Sequence, residues 1–300
     1  MKKFLLKTLC FLLPALLVLA GAEAFVRSLP NTYKYKEAWM WQNGHRVSTL
    51  LLGNSHAYYD LQPSAMGDSI FSLANVSQRT EHDYFLLKRY AEACPRLQTV
   101  ILVADNSNLF DVPMEDDEPG RATYYQLYMH YPKHSPLSRY GFELSNMTSF
   151  WAKMLKHLEG DEQDCDSLGW GRKYVAEQRN PDDFTPERMR EHRFHDWPAT
   201  LTNLHYVDSI AAYCRMRNLR LVLLQTPVSV GYTRKAQPWQ LRYVQAFVDS
   251  CRQAYGAEVA DYSCDRRFSD DQQYFDPDHL NDRGAKRFSK ILGKELFGHQ

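Results

Sequence analysis

Val47-Ser48-Thr49-Leu50-Leu51-Leu52-Gly53-Asn54-Ser55-His56 decides how the rest of the chain is read. A short continuous apolar run is what a strand covered on both faces requires. Gly53 and Asn54 tolerate positive φ, so they mark a tight turn at the carboxyl end of that strand. Ser55 is then presented at the strand end, facing solvent. Such a turn also serves simply to end a strand, and by itself it implies no chemistry.

A second motif changes its weight. Asp276-Pro277-Asp278-His279 lies near the other end of the chain. Alone it reads as a polar loop leading into a helix cap at Asn281. A serine hydroxyl is a poor nucleophile until a base takes its proton and a third group steers the base. Ser55, His279 and Asp276 supply those three parts. Asp278 is a rival acid, but it adjoins His279 in sequence and is poorly placed to orient the ring.

Working outward, strands are expected at Val47–Leu52, Ser69–Leu73, Thr99–Ala104, Arg220–Gln225 and Glu258–Asp261. Helices are expected at Glu81–Cys94, Asn203–Arg217, Trp239–Tyr255 and Asp282–Phe297, the first and last with apolar residues recurring at three and four. Strands alternating with helices imply a flavodoxin-like three-layer α/β/α sandwich around a central parallel sheet. Ligands in such sheets sit at the carboxyl ends of the strands, where Ser55, Asn106 and the His279 loop fall. Residues 105–200 break the rhythm and read as an insertion after the third strand, with short helices around Ser149–Leu158 and Pro186–His192. That length exceeds an ordinary connection, which suggests a lid or substrate-binding element over the Ser55–His279 cleft.

The two motifs, at opposite ends of an alternating strand–helix chain, resemble those of the SGNH (GDSL-like) hydrolase superfamily over roughly residues 47–110 and 203–297. The resemblance implies Ser55 as nucleophile, Asp276 as acid and His279 as base. Asn54 stands where the family has Asp. The family's second block supplies a glycine amide to the oxyanion hole. Here Asn75-Val76-Ser77 is the nearest match and has no glycine. Of the third block, Ala104-Asp105-Asn106-Ser107 keeps the Asn. The oxyanion donors implied are thus the Ser55 amide, Asn106 and Ser77, with His56 as a substrate-binding residue. Retained triad and altered middle blocks look like the membrane-anchored branch of D-alanyl transfer and polysaccharide O-acetylation. That likeness implies an esterase or O-acyltransferase acting on ester-linked acyl groups of a cell-surface glycan. A membrane-bound O-acyltransferase is the implied partner. The alternative is a catalytically silent scaffold of the same fold.

Composition bounds these readings. Three hundred residues, 44% hydrophobic, suffice for a large folded domain. The 36 basic and 36 acidic residues cancel and form no basic stripe, so nucleic acid is not an expected partner. Lys2, Lys3 and Lys7 precede an uncharged run from Thr8 to Ala22, and Phe4–Val26 is mostly apolar. Residues 1–26 therefore read as a membrane anchor or a signal peptide, with the remainder exported to the periplasmic or extracellular side. Glu23 and Arg27 match the acid and arginine retained in the anchored relatives, which favours a single-pass anchor. Residues 27–46 read as a linker and 47–300 as the catalytic domain. The six cysteines contain no C-x-x-C and no zinc spacing, so no metal or cofactor is expected. A disulfide among Cys214, Cys251 and Cys264 is open. His130 and His134 are four apart, but Pro132 between them argues against a helical metal site.

Overall fold

The run after Val47 forms a strand, β1 (Thr49–Leu52), and every residue of it is buried. A computed structural model describes residues 1–160, 163–187 and 194–298. The helix expected around Pro186–His192 lies largely outside the described residues.

Before β1 come α1 (Lys2–Ser28) and α2 (Thr32–Asn43). The stretch read as a linker is therefore helical over most of its length. Asn31 Oδ1 accepts from the Lys34 amide at 3.0 Å, a capping contact that composition alone does not disclose. After β1 follow α3 (Ser55–Asp60), α4 (Pro63–Met66), β2 (Ile70–Ser72), α5 (Thr80–Tyr90) and β3 (Thr99–Val103). The insertion carries α6 (Asn106–Leu109), α7 (Met114–Asp117), α8 (Pro119–Tyr128) and α9 (Met147–Glu159). The remainder is α10 (Trp197–Met216), β4 (Arg220–Gln225), α11 (Val230–Lys235), α12 (Pro238–Tyr255), β5 (Glu258–Asp261), β6 (Tyr274–Asp276), β7 (His279–Leu280) and α13 (Asp282–Phe297). α10 starts before the expected Asn203 because Asp196 caps it, accepting from the Ala199 amide at 2.7 Å.

The chain divides into two compact units. One comprises residues 1–37 and 118–163, the other 38–117 and 164–300. The insertion is accordingly shared between them.

The larger unit is a three-layer α/β/α sandwich. Its sheet runs β2-β1-β3-β4-β5, with every pairing parallel. This is the flavodoxin-like order, in which the chain reverses direction between β1 and β3. Leu50, Leu51, Leu52, Ile101, Leu102 and Leu223 are fully buried. Each such side chain stabilises the fold by about 1.5–3 kcal/mol. β6 and β7 form a separate antiparallel pair. Among the described residues no cysteine is disulfide-bonded, so Cys214, Cys251 and Cys264 are unbridged, the first two buried on α10 and α12.

In the smaller unit, α1 is long and apolar enough to cross a membrane, and only 6% of its most apolar window is buried. Glu23 near its end bonds Arg27 and accepts from the amides of Glu143 and Leu144 at 2.9 and 3.0 Å.

Candidate active site

The turn after β1 is held from below. Gly53 has φ 129°, a conformation that favours glycine. A Cβ there would stand 3.0 Å from Val103 Cβ and 3.1 Å from Ala57 Cβ, so the close passage over β3 also demands glycine. The Gly53 amide donates to Asp83 Oδ1 at 2.8 Å, and Gln78 Nε2 donates to the same oxygen. Asp83 is fully buried, and burial pushes its carboxyl up to about 7 despite these two donors. Asn54 caps α3, its Oδ1 accepting from the His56 amide at 3.1 Å. Its Nδ2 donates to Ser107 Oγ at 2.7 Å. The amide side chain thus performs the turn-closing role open to a carboxylate and adds a donor that a carboxylate lacks. Ser55 follows as the first residue of α3, and from 51 to 60 it alone is not buried.

His279 reaches Ser55 from the β6–β7 pair. Its Nε2 lies 2.8 Å from Ser55 Oγ. Its Nδ1 lies 2.9 and 3.1 Å from the two oxygens of Asp276. Asp276 Oδ1 also accepts from the His279 amide at 2.9 Å and the Asp278 amide at 3.2 Å. One carboxylate therefore shapes the turn and orients the ring, which is the physical reason for the three-residue spacing. A proton held on Nδ1 by Asp276 leaves Nε2 to face the serine. Asp278, the rival acid, stands farther off at 3.7 Å from Nδ1. Burial pulls the His279 pKa down, but the carboxylates of Asp276 and Asp278 outweigh it and hold it up at about 9.

His56 is buried rather than presented to solvent, at 1% exposure. Its Nδ1 lies 2.7 Å from Asp105 Oδ2 and its Nε2 3.6 Å from Asp278 Oδ2. Burial again lowers its pKa, and Asp105 and Asp278 more than restore it. Burial likewise raises Asp105, and His56 and Ser107 bring it down to about 2. The two imidazoles meet edge to face at 4.9 Å, with Asp278 beside both. His56 also lines a cavity of about 30 Å³ with Asn106, Thr226 and Tyr232. Asn106, at the start of α6, is buried and lines this cavity with Tyr232. Ser77 sits in the loop after β2 at φ 57°, its carbonyl accepting from Arg79 Nη1 at 2.9 Å.

Several residues of this site were not anticipated. Asp60 closes α3 and is buried, with its Oδ1 accepting from the Leu280 amide. Tyr174, from the insertion, stacks on Tyr59 at 3.7 Å and on Phe275 at 4.2 Å, and meets His279 edge-on at 5.2 Å. Gly171 lies against the ring of Tyr58, and its amide donates to the Tyr58 carbonyl at 2.9 Å. Residues 166–174 therefore pack on α3 and the His279 loop. No signal short of the fold joins Tyr174 to Tyr59.

His56, Asp278 and His279 bring one ligand atom each within 4.8 Å of one another. A cation there would draw His279 from its contacts with Ser55 or Asp276. His130 and His134 do not share a helix, since α8 ends at Tyr128.

No family model and no curated protein matches the chain. A solved structure described as a candidate platelet activating factor from Streptococcus pneumonia is similar at 12% identity, covering 96% of this chain and 99% of its own. The TM-score of 0.43 is too low for that likeness to carry an argument, and the site's own geometry bears the functional reading.

Proposed function

We propose that the protein is a serine-dependent esterase or acyltransferase of SGNH type. The observation that supports this most is the continuous hydrogen-bonded chain Ser55–His279–Asp276, at the carboxyl end of a parallel sheet. In the proposed reaction, Ser55 Oγ attacks an ester carbonyl and its proton passes to His279 Nε2. The tetrahedral intermediate collapses, the C–O bond to the alcohol breaks, and His279 returns the proton to that alcohol. In the second half, water or a sugar hydroxyl attacks the acyl-serine with His279 again as base, the acyl–Oγ bond breaks, and His279 returns the proton to Ser55 Oγ. Water yields hydrolysis and a sugar hydroxyl yields transfer. Asp276 stabilises the imidazolium formed in each half. The Ser55 amide serves the developing oxyanion, with Asn106 and Ser77 as the further candidates. One preorganised donor of this kind is worth about 3–4 kcal/mol.

In this reading α1 anchors the chain in a membrane with the larger unit exported. The acceptor is a cell-surface glycan, and the acyl group reaches the site through a membrane-bound O-acyltransferase. The silent-scaffold alternative draws on one observation, that Asn75-Val76-Ser77 offers no glycine where the family's second block supplies an oxyanion amide. Fluorophosphonate labelling of the full chain, with peptide mapping, decides between them. A covalent adduct on Ser55 is expected. An intact chain with Ser55 unmodified would favour the scaffold.

A further inference from the structure

We propose that α9 is a membrane-interface helix, seating its outward face in the bilayer beside the end of α1. This rests on the reading of α1 as a membrane span. The polarity of α9 is inverted relative to a helix on a water-facing surface. Its inward residue is a charge. Lys153 is 5% exposed, 2.6 Å from Glu143 and 2.9 Å from the Tyr128 hydroxyl. Its large outward residues are apolar, with Thr148 and Glu159 exposed beside them. Met147, Trp151, Leu155 and Leu158 are 51, 59, 57 and 78% exposed. Their spacing of four, four and three places them along one stripe of the helix.

The position of α9 says what covers that stripe. Just before α9 begins, the Glu143 and Leu144 amides donate to Glu23. Near its end, the His157 ring meets Phe25 edge-on at 6.1 Å. Both ends are thus fixed to residues 23–25 of α1, where the apolar run stops. A span that leaves the hydrocarbon there brings α9 to the level of the lipid headgroups. Amphipathic helices in that plane bury their apolar face about 5–10 Å into the headgroup–acyl boundary, with tryptophan suited to it. α9 carries no cluster of outward basic side chains, so the attraction is apolar insertion and not recognition of an anionic headgroup.

The test uses the full chain in phosphatidylcholine nanodiscs doped with a phospholipid carrying a diazirine near the top of its acyl chain. Adducts are mapped by mass spectrometry after illumination. Labelling is expected on α1 and on Trp151, Leu155 and Leu158. The α9 yield should be about tenfold above that on Met216, an exposed apolar residue of the larger unit, given the depth expected of such a helix. Trp151→Ser with Leu155→Lys should lose the α9 adducts and keep those on α1. Labelled α1 with α9 at the Met216 background overturns the proposal while leaving the anchor standing. A chain unlabelled on both helices overturns the anchor and the proposal together. Absence of α9 adducts in chains that are dimeric in the nanodisc, with α9 adducts appearing once the chain is monomeric, assigns the stripe to a second copy and also overturns it.

Discussion

The Leu280 amide donates to Asp60 Oδ1 at 2.8 Å, tying the residue after His279 to the last residue of the helix that begins with Ser55. Six residues of α3 therefore set both partners of the Ser55–His279 contact. Asp60 is fully buried, and burial pushes its carboxyl up to about 7 although His56 and His279 pull against it. Asp60→Ala is expected to free the His279 loop and lower kcat on p-nitrophenyl acetate by about 10²-fold, the cost of a small misplacement, with KM little changed. Asp60→Asn keeps an acceptor for Leu280 and should restore most of the rate. Equal loss in both variants would point to the carboxyl itself and away from positioning.

Ser55→Ala is expected to abolish ester cleavage. Ser55 is partly exposed at a helix start, so its replacement should alter stability by no more than about 1 kcal/mol. Steady-state rates and thermal unfolding of the same preparation check both halves. Ester cleavage persisting in a homogeneous, folded variant would remove Ser55 from the mechanism.

The pH profile follows from His279. In the proposed reaction only its free base accepts the serine proton; burial lowers the pKa, and Asp276 and Asp278 hold it up at about 9 against that and the neighbouring His56. Below that value the ring is protonated, so kcat/KM should rise about tenfold per pH unit and level off near pH 9. Asp276→Asn removes the largest raising charge. The midpoint should then move to lower pH while the plateau rate falls. A wild-type profile already flat from pH 6.5 upward would contradict the electrostatic account.

The sheet was legible because its strands are short apolar runs between Gly, Pro and charged residues, as at 49–52 and 220–225. The Ser55–His279–Asp276 chain was legible because each member lies in a local motif. What stayed hidden depends on long-range packing. Asp60 belongs to no local motif, and its role emerges only when Leu280 is folded against it. Tyr174 sits in an irregular tract, and the stacking of its ring on Tyr59 and Phe275 has no sequence period. The helix within 27–46 was missed because aromatic and charged residues mask its helical pattern.

Asp83 supplies a stability test with a definite sign. Its unfolded carboxyl ionises near 3.8, whereas burial keeps the folded one protonated up to about 7. Between those values the unfolded state releases its proton first, so this group costs the fold stability as pH rises through the window. Below 3.8 it costs nothing, since both states are protonated. Asp83→Asn retains an oxygen for the Gly53 amide and cannot ionise. The variant should match wild type at the acid end, exceed it progressively as pH rises toward about 7, and keep a constant margin above that. In the full chain in detergent, a gain of 1 kcal/mol corresponds to about 2–4 °C in Tm for a domain of this size. Circular dichroism melts at several pH values make the comparison. A variant less stable than wild type at about pH 5.5, inside that window, would show that the Asp83 carboxylate is already ionised in the fold there, with the Gly53 and Gln78 donors holding it charged.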